Sequence, residues 1–178
     1  MPGDYMGNNT QKMVLIAILL SVSIVLNLVE RFTLQGFTGL PMVRLGLANI
    51  VVLLILYTYG TKDAFAILFL RIVLVAMLST GLGSVSFLLS FSGGMVAFLL
   101  MVTFKTLKGF TVISVSIMGS LGHAFGQIFM AIFVLATDEI VFLLPVLMML
   151  SVPTGIFVGL TTQRLIKILG PQMGLINE

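Results

Sequence analysis

The stretch SLGHAFGQIF, residues 120–129, contains the only histidine of the chain in otherwise apolar surroundings. At about 100° per residue, one face of a helix here would carry a polar stripe within about 60°. The stripe consists of Ser116, Ser120, His123 and Gln127. These side chains donate and accept hydrogen bonds, whereas a proton relay through His123 has no acidic partner near the middle of the segment. Two interpretations remain open: the stripe lines a ligand pocket, or it only joins neighbouring helices.

A second candidate is Arg71, in the middle of the apolar run DAFAILFLRIVLVAML. An arginine at mid-membrane depth costs several kcal/mol or more unless it is paired or hydrated. We expect it either to be a counter-ion for an anionic or strongly polar ligand, or to bond to backbone carbonyls or to Glu30 as a structural arginine. Asp63 lies eight residues away, at the end of the segment.

The run RLGLANIVVLLILYTYG begins with Arg44 and contains Asn49. Arg44 either contacts the ligand or extends its charge to lipid headgroups, and Asn49 contacts either a ligand or another helix. The two residues lie about 140° apart on an ideal helix. They therefore face one pocket together only if the helix bends.

The first apolar segment has two distinct faces. Ala17 and Ser21 form a pair of small residues four apart, a spacing that favours close helix contact. Ser23, Asn27 and Glu30 lie on a face roughly 130° away. Gly119, Gly122 and Gly126 form a similar small stripe on the fifth segment.

The composition defines the elements that must position these residues. The chain is 59% hydrophobic and 8% charged, whereas soluble domains carry about 25% charged residues. We predict an all-α membrane protein that is one integral membrane domain over residues 1–178. The six predicted helices cover about 13–29, 44–60, 64–80, 84–104, 111–136 and 140–168.

Lysine and arginine placement predicts that both termini are cytoplasmic and that loop 30–43 faces outward. The predicted inner residues are Lys12, Lys62, Lys105, Lys108, Arg164 and Lys167, against Arg31 and Arg44 outside.

Two features predict irregular helices. Gly93–Gly94 either loosens the fourth helix or allows a neighbouring helix to approach closely, and Pro145 and Pro153 predict kinks in the sixth helix.

Several functions are disfavoured by what the sequence lacks. The chain has no cysteine and one histidine, so we expect no metal site. We find no phosphate-binding loop, no aspartate pair for a magnesium diphosphate and no nucleophile–base arrangement. We therefore predict no catalytic residues, no enzyme activity and no cofactor. No basic run is long enough to follow a nucleic-acid strand, so we also predict no nucleic-acid binding.

The stretches RLGLANIVVLLILYTYGTKDAF, SFLLSFSGGMVAFLLM and SVSIMGSLGHAFGQI resemble the bacterial Gx transporter family, often labelled heptaprenyl diphosphate synthase component I. The resemblance covers about residues 12–168. That family is similar to the substrate-binding S components of energy-coupling factor transporters. The resemblance implies six helices in the bacterial plasma membrane, a small-molecule substrate captured from outside, and docking through Ala17 and Ser21. The implied partners are membrane lipid, a coupling membrane subunit and two ATPases.

Three functional hypotheses follow. The first is an importer component whose pocket lies among helices 1, 2, 3 and 5 and is capped by loop 30–43. The expected ligand-binding residues are Arg71, His123, Gln127, Asn49, Arg44 and Asn27. The second is a non-catalytic accessory of prenyl diphosphate or quinone metabolism, and the third is a stand-alone secondary transporter. A flavin, a prenyl phosphate and a carboxylated vitamin fit the pattern equally well.

Overall fold

The computed structural model describes residues 5–38, 46–136 and 138–170, and within them all regular structure is helical. The α-helices are α1 (Tyr5–Thr38), α2 (Asn49–Thr58), α3 (Thr61–Ser79), α4 (Val85–Thr106), α5 (Val112–Leu135) and α6 (Leu144–Leu169), and a short 3-10 helix (Asp138–Leu143) precedes α6. The predicted all-α class is confirmed.

Four of the helical segments are long and apolar enough to cross a membrane. They are Thr10–Thr33, Val85–Thr106, Val112–Leu135 and Glu139–Leu169. α2 has only 10 residues, or about 15 Å of helix, which is half of a hydrocarbon core of about 30 Å. α3 has 19 residues but contains Lys62, Asp63 and Arg71. Length and composition thus support crossing for four of the six predicted segments.

The boundaries of the first two helices differ from the prediction. α1 continues through residues 30–38, so a loop starting at residue 30 is wrong, while 39–43 lie outside the described residues. α2 begins at Asn49 rather than 44, because a turn at 46–48 precedes it. Gly46 has φ +81° in that turn, a conformation that glycine adopts without strain. Arg44 lies outside the described residues.

The structure also tests the predictions for the glycine pair of α4 and for the two prolines of the sixth helix. α4 runs unbroken through Gly93 and Gly94, both buried, so the loosened helix is wrong and close packing is the correct alternative. Pro145 lies in the first turn of α6, where its missing N–H costs no hydrogen bond. Only Pro153 lies inside that helix.

α5 is packed between α4 and α6 through glycines. A Cβ on Gly126 would lie 2.7 Å from the Ser92 carbonyl oxygen of α4. The Ser92 hydroxyl also donates a 2.8 Å hydrogen bond to the Gly126 carbonyl. On the other side, a Cβ on Gly155 or Gly159 of α6 would lie 2.7 Å from a Cα of α5. The α5 glycine stripe was predicted from the sequence, whereas this second pair was missed although its spacing of four is the same as that of Gly122 and Gly126.

α1 lies at the edge of the bundle, and only 17% of its most apolar stretch is buried. One face is a row of exposed apolar side chains: Val14, Ile18, Val22, Val25, Val29 and Phe32. Polar contacts near both ends attach α1 to the bundle. At the Lys12 end, Lys12 pairs with Asp63 at 2.7 Å. At the Arg31 end, Arg31 donates to the Ser79 and Ser86 hydroxyls at 2.7 and 2.8 Å.

These contacts fix the relative direction of the helices. Lys12 and Asp63 are near the starts of α1 and α3, and Arg31 and Ser79 are near their ends, so α1 and α3 are parallel. Lys12 also lies 5.2 Å from the centre of the Tyr59 ring. Burial raises the pKa of the Tyr59 phenol, with Asp63 acting in the same direction and Lys12 opposing it. The ring therefore stays neutral beside the ammonium group.

Gly126→Ala tests the α4–α5 contact. The added methyl group meets backbone rather than a flexible side chain, so we expect a loss of about 1–3 kcal/mol of stability. Thermal unfolding in detergent measures it. The control is Phe125→Leu, at the next position, where the side chain is 52% exposed and the loss should be small. Equal melting temperatures for the two variants would contradict the packing described.

Candidate ligand-binding cavity

A cavity lies between five helices, towards the Arg31 end of the bundle. The first two helices and the turn between them contribute Asn27, Glu30, Arg31, Gly46, Ala48 and Asn49 to its lining. α3 and its C-cap contribute Arg71, Ile72, Val75, Ala76 and Thr80, α4 contributes Phe87 and Ser90, and α5 contributes His123. Of the predicted ligand-binding residues, the structure brings Asn27, Asn49, Arg71 and His123 together here.

Arg71 is the buried cation of the cavity, with 3% of its surface exposed. Its Nη2 donates a 3.2 Å hydrogen bond to Oδ1 of Asn49, which is itself 5% exposed. Asp63 is engaged elsewhere, by Lys12 at 2.7 Å. A buried guanidinium is tolerated only where acceptors surround it, so Asn49 is part of what keeps Arg71 in place.

Glu30 is a functional candidate that the ligand-binding prediction did not include. Its carboxylate is 5% exposed and accepts hydrogen bonds from the backbone N–H groups of Gly46 and Leu47 at 2.6 and 2.9 Å. The sequence placed Glu30 on the polar face of the first helix with Ser23 and Asn27, and that face does point into the bundle. Its partners depend on a turn that the sequence does not reveal.

His123 and Gln127 share a helix face but occupy different surroundings. His123 lines the cavity and is 7% exposed. Gln127, 1% exposed, lies one turn further along α5, outside the lining, and packs at Gly93, where a Cβ would be 2.8 Å from its Cγ. Within the described residues, neither amide atom of Gln127 has a hydrogen-bond partner. Leaving a buried amide unsatisfied is costly.

The remaining residues of the predicted polar stripe face α6 instead of the cavity. Ser116 and Ser120 are buried at 2% and 6% exposure. A Cβ on Gly159 would lie 3.1 Å from Ser116 Cβ, and one on Gly155 would lie 3.1 Å from Ser120 Oγ. Both serines thus pack against α6, but within the described residues the Ser116 hydroxyl has no hydrogen-bond partner.

The fourth helix contributes to the cavity although the prediction named only helices 1, 2, 3 and 5. Phe87 and Ser90 lie on its wall. Serines recur at 84, 86, 90 and 92 in this helix and its N-cap, a signal that could have identified the wall. Together with Ile72, Val75 and Ala76, Phe87 supplies apolar side chains to the lining.

The cavity is small. Its free space is about 20 Å³, which is room for one or two water molecules. A ligand of vitamin size requires several hundred Å³, so binding one requires the walls to separate. α1 supplies one wall of the cavity. The buried share of its apolar stretch is smaller than that of α4 or α5, and only the α6 segment is less buried.

No group of three or more histidine, cysteine, aspartate or glutamate side chains that could hold a metal ion occurs in the described part of the chain. The polar lining supplies two guanidinium groups, a carboxylate, amides, an imidazole and hydroxyls. Groups of these kinds are suited to hydrogen bonds and charge interactions with a polar or anionic molecule.

The predicted docking residues lie on the opposite side of α1 from the cavity. Ala17 and Ser21 are both exposed, and the Ser21 hydroxyl donates to the Ala17 carbonyl at 2.9 Å. Because this bond satisfies the hydroxyl within the helix, the exposed face is small and apolar in character.

Fold and cavity define a helical membrane protein with a partly polar cavity between its helices. The sequence model of the family described as Heptaprenyl diphosphate synthase component I matches residues 19–165, and the chain belongs to that family. The match includes every residue of the cavity lining and confirms the family predicted from the motifs. No curated protein and no solved structure matches the chain.

The Arg71–Asn49 bond is testable with a double-mutant cycle using Arg71→Met and Asn49→Leu. Asn49→Leu alone removes an acceptor from a buried cation and should cost about 1.5–3 kcal/mol. In the double variant no charge remains to be satisfied, so the combined loss should be smaller than the sum by about 1 kcal/mol. Denaturant or thermal unfolding in detergent measures the four stabilities. Strict additivity would contradict a direct interaction.

Proposed function

We propose that this chain is the membrane-embedded substrate-binding component of an importer of the energy-coupling factor type. The observation that carries the proposal is the convergence of Asn27, Asn49, Arg71 and His123, from four different helices, on one cavity. Polar and ionisable groups inside a membrane protein are expensive and mark binding sites and pathways. Small-molecule sites combine a few such groups with apolar walls.

The position of the cavity supports capture from outside. It lies towards the Arg31 end of the bundle. At the opposite end, Lys12 pairs with Asp63 of α3, and Lys105 of α4 donates to the Leu56 carbonyl of α2. The lysine and arginine distribution favours the Lys12 end as cytoplasmic. With that orientation in a bacterial plasma membrane, the cavity is nearer to the outer surface, as the capture of an external substrate requires.

The lining defines the chemistry of the proposed ligand. Arg71 would neutralise an anionic or strongly polar part, with Asn49, Asn27 and His123 orienting it through hydrogen bonds. Ile72, Val75 and Phe87 would contact an apolar ring or chain. Under this proposal the ligand is bound and released unchanged, and the chain is not an enzyme.

The exposed face of α1 supports the proposed partner. Ala17 and Ser21 lie beside Val14, Ile18 and Val25, all exposed. A face with small residues allows another helix to approach closely within a membrane. The proposed partner is a coupling membrane subunit that carries two ATPases, because no phosphate-binding loop occurs in this sequence.

A second candidate function is a non-catalytic membrane accessory of prenyl diphosphate or quinone metabolism. The description of the matched family favours it. Under this alternative, the same cavity would hold part of a prenyl diphosphate or quinone, and the partner would be a soluble prenyltransferase rather than an ATPase pair.

Co-purification from the native membrane distinguishes the two candidates. We expect a coupling subunit and two ATPases to accompany the wild-type chain. Ala17→Trp places a large side chain on the docking face and should reduce the recovered partners about tenfold or more, since overpacking costs 1–3 kcal/mol.

The matched control is Met149→Trp, which adds the same indole at a 77% exposed position of α6, away from α1, and should leave recovery near the wild-type level. The amount of each variant in the membrane fraction verifies insertion. Recovery of a soluble prenyltransferase without ATPases would overturn the importer and support the accessory role.

A further inference from the structure

We infer that Glu30 is a positioning residue of the cavity: its carboxylate holds the turn before α2 against α1, and thereby presents Asn49 to Arg71. The inference rests on the proposed function only in treating the cavity as a binding site. Glu30 would act through Asn49 and Arg71 rather than by contacting the ligand itself.

The first step is the location of the turn. α2 is 10 residues long and starts beside Arg71, the eleventh residue of the 19-residue α3. The start of α2 therefore lies at mid-depth in the bundle. Backbone N–H groups at this depth need acceptors within the protein, because lipid provides none. Asn49 N and Ile50 N at the start of α2 donate to the Gly46 and Leu47 carbonyls of the turn. The N–H groups of Gly46 and Leu47 themselves therefore need an acceptor from another element.

Glu30 supplies that acceptor with both carboxylate oxygens. Oε1 accepts from Gly46 N at 2.6 Å, and Oε2 accepts from Leu47 N at 2.9 Å. The negative charge also lies at the positive end of the α2 dipole, where an anion is stabilised. A glutamine at this position retains one good acceptor, and an alanine retains none.

Two further contacts make the turn specific. The Ser23 hydroxyl of α1, two helical turns before Glu30, donates to the Ala48 carbonyl at 3.2 Å. Within the turn, Asn49 N donates to the Gly46 carbonyl at 2.9 Å. A Cβ on Gly46 would lie 3.1 Å from Asn49 Nδ2, so the turn packs directly against the Asn49 amide.

The consequence is a continuous set of contacts from α1 to the buried cation. Glu30 fixes the turn, the turn fixes the Asn49 side chain, and Asn49 Oδ1 accepts from Arg71 Nη2 at 3.2 Å. Glu30, Asn49 and Arg71 are each at most 5% exposed. A change at Glu30 should thus alter the Asn49–Arg71 interaction without touching either residue.

Cysteine labelling tests the first link, because the chain contains no cysteine. Ala48→Cys places a thiol in the turn, at a position that is 1% exposed. Its reaction with neutral methyl methanethiosulfonate should be slow, and Glu30→Ala should accelerate it about tenfold or more by opening the turn locally. Glu30→Gln should give a smaller increase. Sodium formate should slow the reaction again in Glu30→Ala alone.

The matched control is Asp63→Asn, which removes the Lys12 ion pair that attaches the other end of α1. It should change the Ala48→Cys rate by less than about twofold, since the pair is only partly buried and lies at the end of α1 away from the turn. A second reporter, Ala64→Cys, is fully buried in α3 and should stay unreactive in Glu30→Ala. An unchanged Ala48→Cys rate, equal acceleration at Ala64→Cys or no effect of formate would each overturn the inference.

The Asn49–Arg71 double-mutant cycle tests the second link. Its coupling should disappear in the Glu30→Ala background and persist in Asp63→Asn, a difference that general loosening of α1 does not produce. Persistence of the coupling in Glu30→Ala would overturn the positioning role. None of these measurements involves a transporter subunit, so failure of the importer proposal is a separate result.

Discussion

A guanidinium buried in the interior of an apolar bundle is the constraint on which the rest of this structure depends. Arg71 is 3% exposed within a helix that is otherwise apolar for most of its length. Keeping that charge out of water requires polar partners at the same depth. Asn49 provides one of them, and it can do so because α2 starts halfway through the bundle. The short second helix is thus explained by the arginine that it faces.

The helices around the cavity are held in two different ways. α4, α5 and α6 approach so closely that a Cβ on Gly126 or Gly155 would meet backbone, and such packing deforms little. α1 is instead attached by a few polar contacts and by the partly buried Ile16, Leu19 and Leu20, with an exposed apolar face on its other side. The cavity is too small for a vitamin-sized ligand as it stands, and we expect α1 rather than the glycine-packed helices to move when such a ligand binds.

The sequence predicted those features of the site that depend on residue type and helical period. Burying an arginine, an asparagine or a histidine in an apolar segment costs free energy unless the side chain has a role, and this reasoning singled out Arg71, Asn49 and His123 without a structure. The helical periodicity of the sequence also separated the two faces of α1 correctly. Gln127 shows the limit, because residues on one helix face lie at different depths and only one level of α5 reaches the cavity. Glu30 shows another, since its partners belong to a turn 16 residues later whose glycine has φ +81°.

Native mass spectrometry of the chain, purified in mild detergent from its own membrane, is the most direct test of whether the Arg71 cavity binds a small molecule. We expect the wild-type protein to retain a small molecule, seen as a discrete added mass, and the Arg71→Ala and His123→Ala variants to insert normally but lose it. A bound molecule retained equally by wild type and both variants, or a wild-type protein that carries none and acquires none from a native extract, would rule out this cavity as the binding site.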